Sequence, residues 1–108
     1  MSVGIPITNA NFESEVLQSP IPVLVDFWAP WCASCKMMAS LVDQLAGEYA
    51  GRIKIGMVNV DEEGTLGEQH EVVSLPTMVL YQNGEILQKK VGALPKREIE
   101  NLFKDVLY

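Results

Sequence analysis

The run Val23-Leu-Val-Asp-Phe-Trp28 constrains this chain more than any other six residues. Apolar side chains follow one another without the apolar/polar alternation of a half-exposed strand, so the run reads as a strand buried on both faces, as in a parallel sheet. Such a sheet needs helices on each side. With 108 residues, the chain has length for one domain of ordinary size and too little for a second core.

The flanking sequence supplies those helices. Met38, Leu41, Val42, Leu45 and Tyr49 recur at spacings of three and four, which predicts a long amphipathic helix after the first strand. Gly51 punctuates it, and Ile53 to Val60 is a second strongly β run, so the succession has the length of a βαβ unit. Thr77 to Tyr81 is a third core strand. Asn83-Gly84 is a two-residue hairpin signal that pairs it antiparallel with Ile86 to Val91.

Nearer the N-terminus, Val3 to Ile7 reads as a short edge strand, since Pro6 cannot donate to a ladder. Asn9 and Asn11 read as N-caps of a short helix that turns Phe12, Val16 and Leu17 inward, with Pro20 and Pro22 beyond it. Residues 61–74 are acidic and weakly periodic, a short helix and a loop. Pro95 fits the first position of a last helix, whose Ile99, Leu102, Phe103, Val106 and Leu107 form one apolar stripe. Glu98 and Glu100 early and Lys104 late complement its dipole. The expected fold class is α/β, a mixed sheet with helices on both faces. Without repeats or linkers, residues 1–108 read as a single domain.

Composition narrows the function. A formal net charge of -6 argues against non-specific nucleic-acid binding, which needs a basic face. No window approaches the ~18 apolar residues that span a bilayer, and Met1 to Thr8 has no basic, signal-like start. A cytoplasmic chain with no membrane partner is the expectation. Two cysteines three residues apart are too few for a disulfide framework; in a reducing compartment such a pair is more often catalytic or metal-binding.

Cys32 and Cys35 fall where the buried strand joins the long helix. If the helix starts near Cys32, residues i and i+3 share a face, close enough for a disulfide. Cys32 would then lie among the free N–H groups of a helix N-terminus, which favour a thiolate. An ordinary thiol of pKa ~8.5 is only about 3% thiolate at pH 7, and reaching pKa ~7 takes about 2 kcal/mol. The helix dipole supplies ~0.3–1 kcal/mol of that. Hydrogen bonds from backbone N–H groups, or from the Cys35 thiol, must provide the rest. Two plainer readings stay open here: half of a zinc site, although one histidine (His70) and no third cysteine remain to complete it, or two inert buried thiols.

Asp26 sharpens the choice. A carboxylate inside an apolar strand is either capping a local turn or is buried with a raised pKa, usable as a proton acceptor near neutrality. Six residues before C-x-x-C, the second reading is favoured.

Val25-Asp-Phe-Trp-Ala-Pro-Trp-Cys-Ala-Ser-Cys-Lys36 resembles the active-site segment of the thioredoxin family. Leu75-Pro76-Thr77, Asn83-Gly84 and Val91-Gly92 fall where that family's later motifs belong, so the likeness spans essentially the whole chain. It implies the thioredoxin fold, a central mixed five-stranded sheet flanked by four helices. It also implies a protein-disulfide reductase, with Cys32 attacking a substrate disulfide, Cys35 resolving the mixed disulfide, and Asp26 taking the Cys35 proton through a water. Trp31, Leu75, Pro76, Gly92 and Ala93 would form the substrate surface. Pro76 would be cis, where the residues alone suggest an ordinary trans proline opening a strand. Trp28, Ala33, Ser34 and Lys36 would support the site, although Trp28 reads equally well as a plain core aromatic. No bound cofactor is implied beyond the redox-active Cys32–Cys35 disulfide. The implied partners are disulfide-bearing proteins and a flavin-dependent thioredoxin reductase drawing on NADPH, and the chain is expected to be a monomer.

Three positions depart from the family pattern. Ala33-Ser34 replaces the usual Gly-Pro, so the Ser34 N–H and hydroxyl become donors toward a Cys32 thiolate. The expected potential is then less reducing than ~-270 mV by a few tens of mV. Ser40 replaces a proline that kinks the helix, which predicts a straighter one. Met57 stands where many relatives have a lysine, so Asp26 should be still harder to ionise. The altered dipeptide also keeps a disulfide oxidase or isomerase in view, and a redox-independent binding module is the non-enzymatic alternative.

Overall fold

A computed structural model of the chain describes residues 4–107. Five strands form one sheet in the order β1-β3-β2-β4-β5: β1 (Ile5–Pro6), β2 (Val23–Trp28), β3 (Lys54–Asn59), β4 (Thr77–Gln82) and β5 (Glu85–Val91). The pairs β1–β3 and β2–β3 are parallel, while β2–β4 and β4–β5 are antiparallel. The sheet is therefore mixed and open. The helices are α1 (Ala33–Glu48), α2 (Gly64–Gln69) and α3 (Lys96–Phe103), with a π-helical segment, Glu13–Leu17, before β2.

Strand β2 is central, with β3 on one side and β4 on the other, which explains why its residues are apolar on both faces apart from Asp26. Val23, Val25 and Phe27 enter one core with Ile7, Val16, Val58, Leu66 and Val79. Leu24 enters the opposite core, built with Met38, Val42 and Leu45 of α1 and Ile99, Leu102 and Phe103 of α3. Side chains alternate across a strand, so Asp26 and Trp28 share the Leu24 face and lie under α1. Full burial of a side chain such as Leu45 or Phe27 contributes ~1.5–3 kcal/mol, so each face of β2 is anchored separately.

Asn83 and Gly84 both have positive φ, at 54° and 80°, the backbone of a tight two-residue hairpin. Among the described residues no helix is long and apolar enough to cross a membrane.

Several expectations shift in detail. Leu17 does not turn inward; it is 37% exposed. The Gln18 N–H reaches back five residues to the Glu13 carbonyl, and this wider turn carries Leu17 off the face that Val16 keeps. Neither asparagine caps the segment with its side chain. Phe12 is the cap position and makes no side-chain cap bond. The Asn11 side chain accepts the Thr8 N–H at 2.7 Å and donates to the Pro6 carbonyl at 2.9 Å, locking the preceding loop, while the Asn9 N–H goes to Glu63. Pro95 is extended (ψ 160°) and is the cap of α3 rather than its first residue. Val106 and Leu107 pack on the core from beyond the end of α3. Helix α1 runs unbroken through Ser40. Of the edge strand, only Ile5–Pro6 pairs; Val3 lies outside the described residues.

Candidate active site

Strand β2 ends at Trp28, and four residues later Cys32 is the N-cap of α1, in extended backbone (φ -87°, ψ 107°). A cap residue needs a side-chain acceptor for the free N–H groups of the first turn. Here a sulfur does that work: Cys32 Sγ accepts the Cys35 N–H at 3.1 Å. The Ser34 hydroxyl lies 3.5 Å from the same sulfur. The backbone donor at the sulfur is thus the Cys35 N–H, one residue beyond the Ser34 N–H that was expected.

Cys32 and Cys35 are joined by a disulfide, with Cα atoms 5.2 Å apart. Both cysteines are buried, in a small cluster with Ala29 against which Trp28, Val60 and Leu75 pack. Among the described residues, no three His, Cys, Asp or Glu side chains are grouped to hold a metal ion.

Asp26 lies beneath this cluster, only 5% exposed. Its register neighbours are Met57 on β3 and Met78 on β4, so two thioethers flank the carboxyl. Among the described residues its Oδ1 has no hydrogen-bond partner, and neither has Trp28 Nε1. Burial pushes the Asp26 carboxyl up from an ordinary 3.8 to about 7. A cleft of about 120 Å³ connects Asp26 with Cys35, Lys36 and Ala39 of α1 and with Trp28 and Met57.

The rest of the expected surface surrounds the disulfide. Trp31 is 68% exposed, and its Nε1 donates to Asp61 Oδ1 at 3.1 Å. The Leu75–Pro76 peptide is cis, which corrects the reading from the residues alone. The Pro76 carbonyl accepts the Gly92 N–H at 2.8 Å, joining two segments distant in sequence, and Ala93 is exposed just beyond. Leu75 is half-buried, and its backbone N–H and C=O make no hydrogen bond among the described residues. Ala33 and Lys36 are exposed and Ser34 half-buried. Asp61, Val60, Val73 and Met78 were not singled out from the sequence. Asp61 directly follows the second β run, and the others carry no signal beyond being apolar.

The family model for thioredoxin matches residues 3–105. The chain is 48% identical to thioredoxin of Haemophilus influenzae over 101 residues, 94% of each chain. It is 45% identical to thioredoxin 1 of Synechococcus elongatus over the same shares, and 44% identical to thioredoxin of Allochromatium vinosum over 86% of this chain and 87% of that one. With a C-x-x-C disulfide at the N-terminus of the helix that follows its central strand, this chain belongs to the thioredoxin family and is a protein thiol–disulfide oxidoreductase.

Proposed function

We propose that the chain works as a monomeric, single-domain reductase of protein disulfides in the cytoplasm, recycled by a thioredoxin reductase and carrying its electrons in the cysteine pair alone. The observation that carries this reading is Cys32 Sγ at the helix cap, receiving the Cys35 N–H at 3.1 Å with the Ser34 hydroxyl beside it. Donors aimed at a sulfur stabilise its thiolate, the form that attacks disulfides.

In the reduced protein the Cys32 thiolate attacks one sulfur of the substrate disulfide. That S–S bond breaks, a mixed disulfide forms, and the far substrate sulfur leaves as a thiolate that takes up a proton. Asp26, titrating at about 7, accepts the Cys35 proton through water in the cleft they share. Cys35 then attacks Cys32 Sγ, the second substrate sulfur leaves, and two electrons have passed to the substrate. The substrate backbone pairs with Leu75, whose N–H and C=O are unengaged among the described residues, in the manner of an added strand. Trp31, Pro76, Gly92 and Ala93 complete that surface, while Trp28, Ala33 and Lys36 frame the loop.

The comparisons favour neither an oxidase or isomerase nor a redox-independent binding module. The test is trapping. Cys35→Ser should leave substrate proteins attached through Cys32 and released by dithiothreitol, and the wild type should reduce insulin when a reductase and NADPH are supplied. Recovery of no mixed disulfides, together with no insulin reduction, would defeat the proposal.

A further inference from the structure

We propose that this chain prefers disulfides flanked by lysine or arginine, and that Glu68 sets the preference; the inference rests on the reductase reading above. A groove of about 240 Å³ runs beside the disulfide, walled by Trp31, Val60, Val72, Val73 and Leu75, with Glu68 at its rim. Val60 and Leu75 also pack against Cys32 and Cys35, so the groove opens directly from the reacting sulfurs. A substrate segment paired with Leu75 therefore passes over it. Gly64 and Gly67 contribute no side chain to the wall and leave room for one from the substrate.

Among the described residues, Glu68 is the only ionisable side chain lining this groove. It is exposed and has no ion-pair partner among the described residues. Residues 60–76 hold Asp61, Glu62, Glu63 and Glu71 as well, and no lysine or arginine. His70 is buried, with its ring nitrogens on the Leu66 carbonyl and the Tyr81 hydroxyl. Lys89, the cation reaching this region from β5, is engaged by the carbonyls of His70 and Glu71. Lys36 belongs to the Asp26 cleft. Acidic side chains thus outnumber cationic ones around the groove, over apolar walls in which Val73 is 92% exposed. A lysine or arginine fits both features, laying its aliphatic stem on the valines and its charge at Glu68. A substrate carboxylate meets only repulsion there.

The experiment mixes the fully reduced protein with two disulfide peptides that differ only in carrying lysine or glutamate beside the reacting cysteine. At low ionic strength the lysine peptide should react about fivefold faster, and the ratio should shrink towards one as salt screens the pair. Glu68→Gln should remove most of the preference and Glu68→Lys should reverse it. Glu85→Gln, with the same change in net charge at the far end of the sheet, should preserve it. Equal rates for the two peptides with the wild type, or an equal loss of preference in Glu85→Gln and Glu68→Gln, would overturn the assignment. Failure to reduce either peptide would instead fell the reductase reading, and this inference with it.

Discussion

Replacing Asp26 by asparagine should make the protein's stability above neutral pH rise markedly relative to its stability near pH 4. The carboxyl has an ordinary value of 3.8 when the chain is unfolded and about 7 when it is buried between Met57 and Met78. Below pH 4 both states hold the proton, and burial of the charge costs nothing. Between pH 4 and 7 the unfolded chain releases the proton while the folded chain keeps it, so stability falls as pH rises. Above 7 both states are ionised and the loss levels off. At about 1.4 kcal/mol per pH unit, the gap between 3.8 and about 7 amounts to roughly 4 kcal/mol. Asparagine fills nearly the same volume without a titrating charge, so whatever its amide costs in the cleft is the same at every pH. Urea unfolding of both proteins at intervals from pH 4 to 8 isolates the difference, because every other carboxylate is common to the two. With an m-value near 2 kcal/mol/M, the two midpoints should draw apart by about 2 M across this range. Stability curves that stay parallel from pH 4 to 8 would refute both the buried charge and its proposed use as a proton acceptor.

Three further outcomes follow from the same geometry. Met57→Lys puts a cation at the register position beside Asp26, so a carboxyl NMR titration should find Asp26 ionising about 1–2 pH units lower; an unchanged midpoint would mean that residue 57 does not reach the carboxyl. Ser34→Ala removes the hydroxyl 3.5 Å from Cys32 Sγ, which favours the thiolate and hence the reduced form. Losing a bond worth about 1 kcal/mol should make the potential roughly 20 mV more reducing in equilibrium with glutathione, and a shift in the opposite direction would refute the donor role. Tyr81→Phe leaves His70 Nε2, now bonded to the tyrosine hydroxyl at 2.6 Å, buried without a partner. It should cost about 1–3 kcal/mol in urea unfolding at pH 7.5; a neutral effect would mean that the pair contributes nothing net.

The parts of this molecule legible in its sequence are those written by neighbours along the chain. The doubly buried β2 shows in an apolar run broken only by Asp26, α1 in its three-and-four spacing, and the β4–β5 hairpin in Asn83-Gly84. Cys32 and Cys35 were placed correctly for the same reason, since a strand-to-helix join fixes an i, i+3 pair over one turn. The parts that escaped depend on residues brought together across the sheet. Nothing local tells that Met78 is the β4 neighbour of Asp26, that Gly92 donates to Pro76, or that Asp61 holds the Trp31 indole. Leu17 was misread because the i, i+4 spacing that places Val16 inward presumes an α-helix, whereas the segment closes its turn over five residues.

Asp26 stands between the two cases, and it shows why the site is only half readable. That a carboxyl in this strand must be buried follows from its neighbours, and so does the direction of its pKa. How far it moves does not. Burial alone would act on any aspartate at this position, but a cation opposite it would reverse much of the effect, and that position is occupied by Met57 from a strand about thirty residues away. The Asp26 pKa is therefore set by one local accident, a charge inside an apolar run, and by one distant one, the thioether paired with it across the ladder. Exchanging Met57 alone should retune Asp26 without touching the cysteines, whereas Ser34 should retune the cysteines without touching Asp26. If the two substitutions prove independent in the potential and in the carboxyl titration, proton acceptance and thiolate stabilisation are separate devices that share one cleft. If each moves both readouts, the cysteines and the aspartate titrate as a single coupled unit.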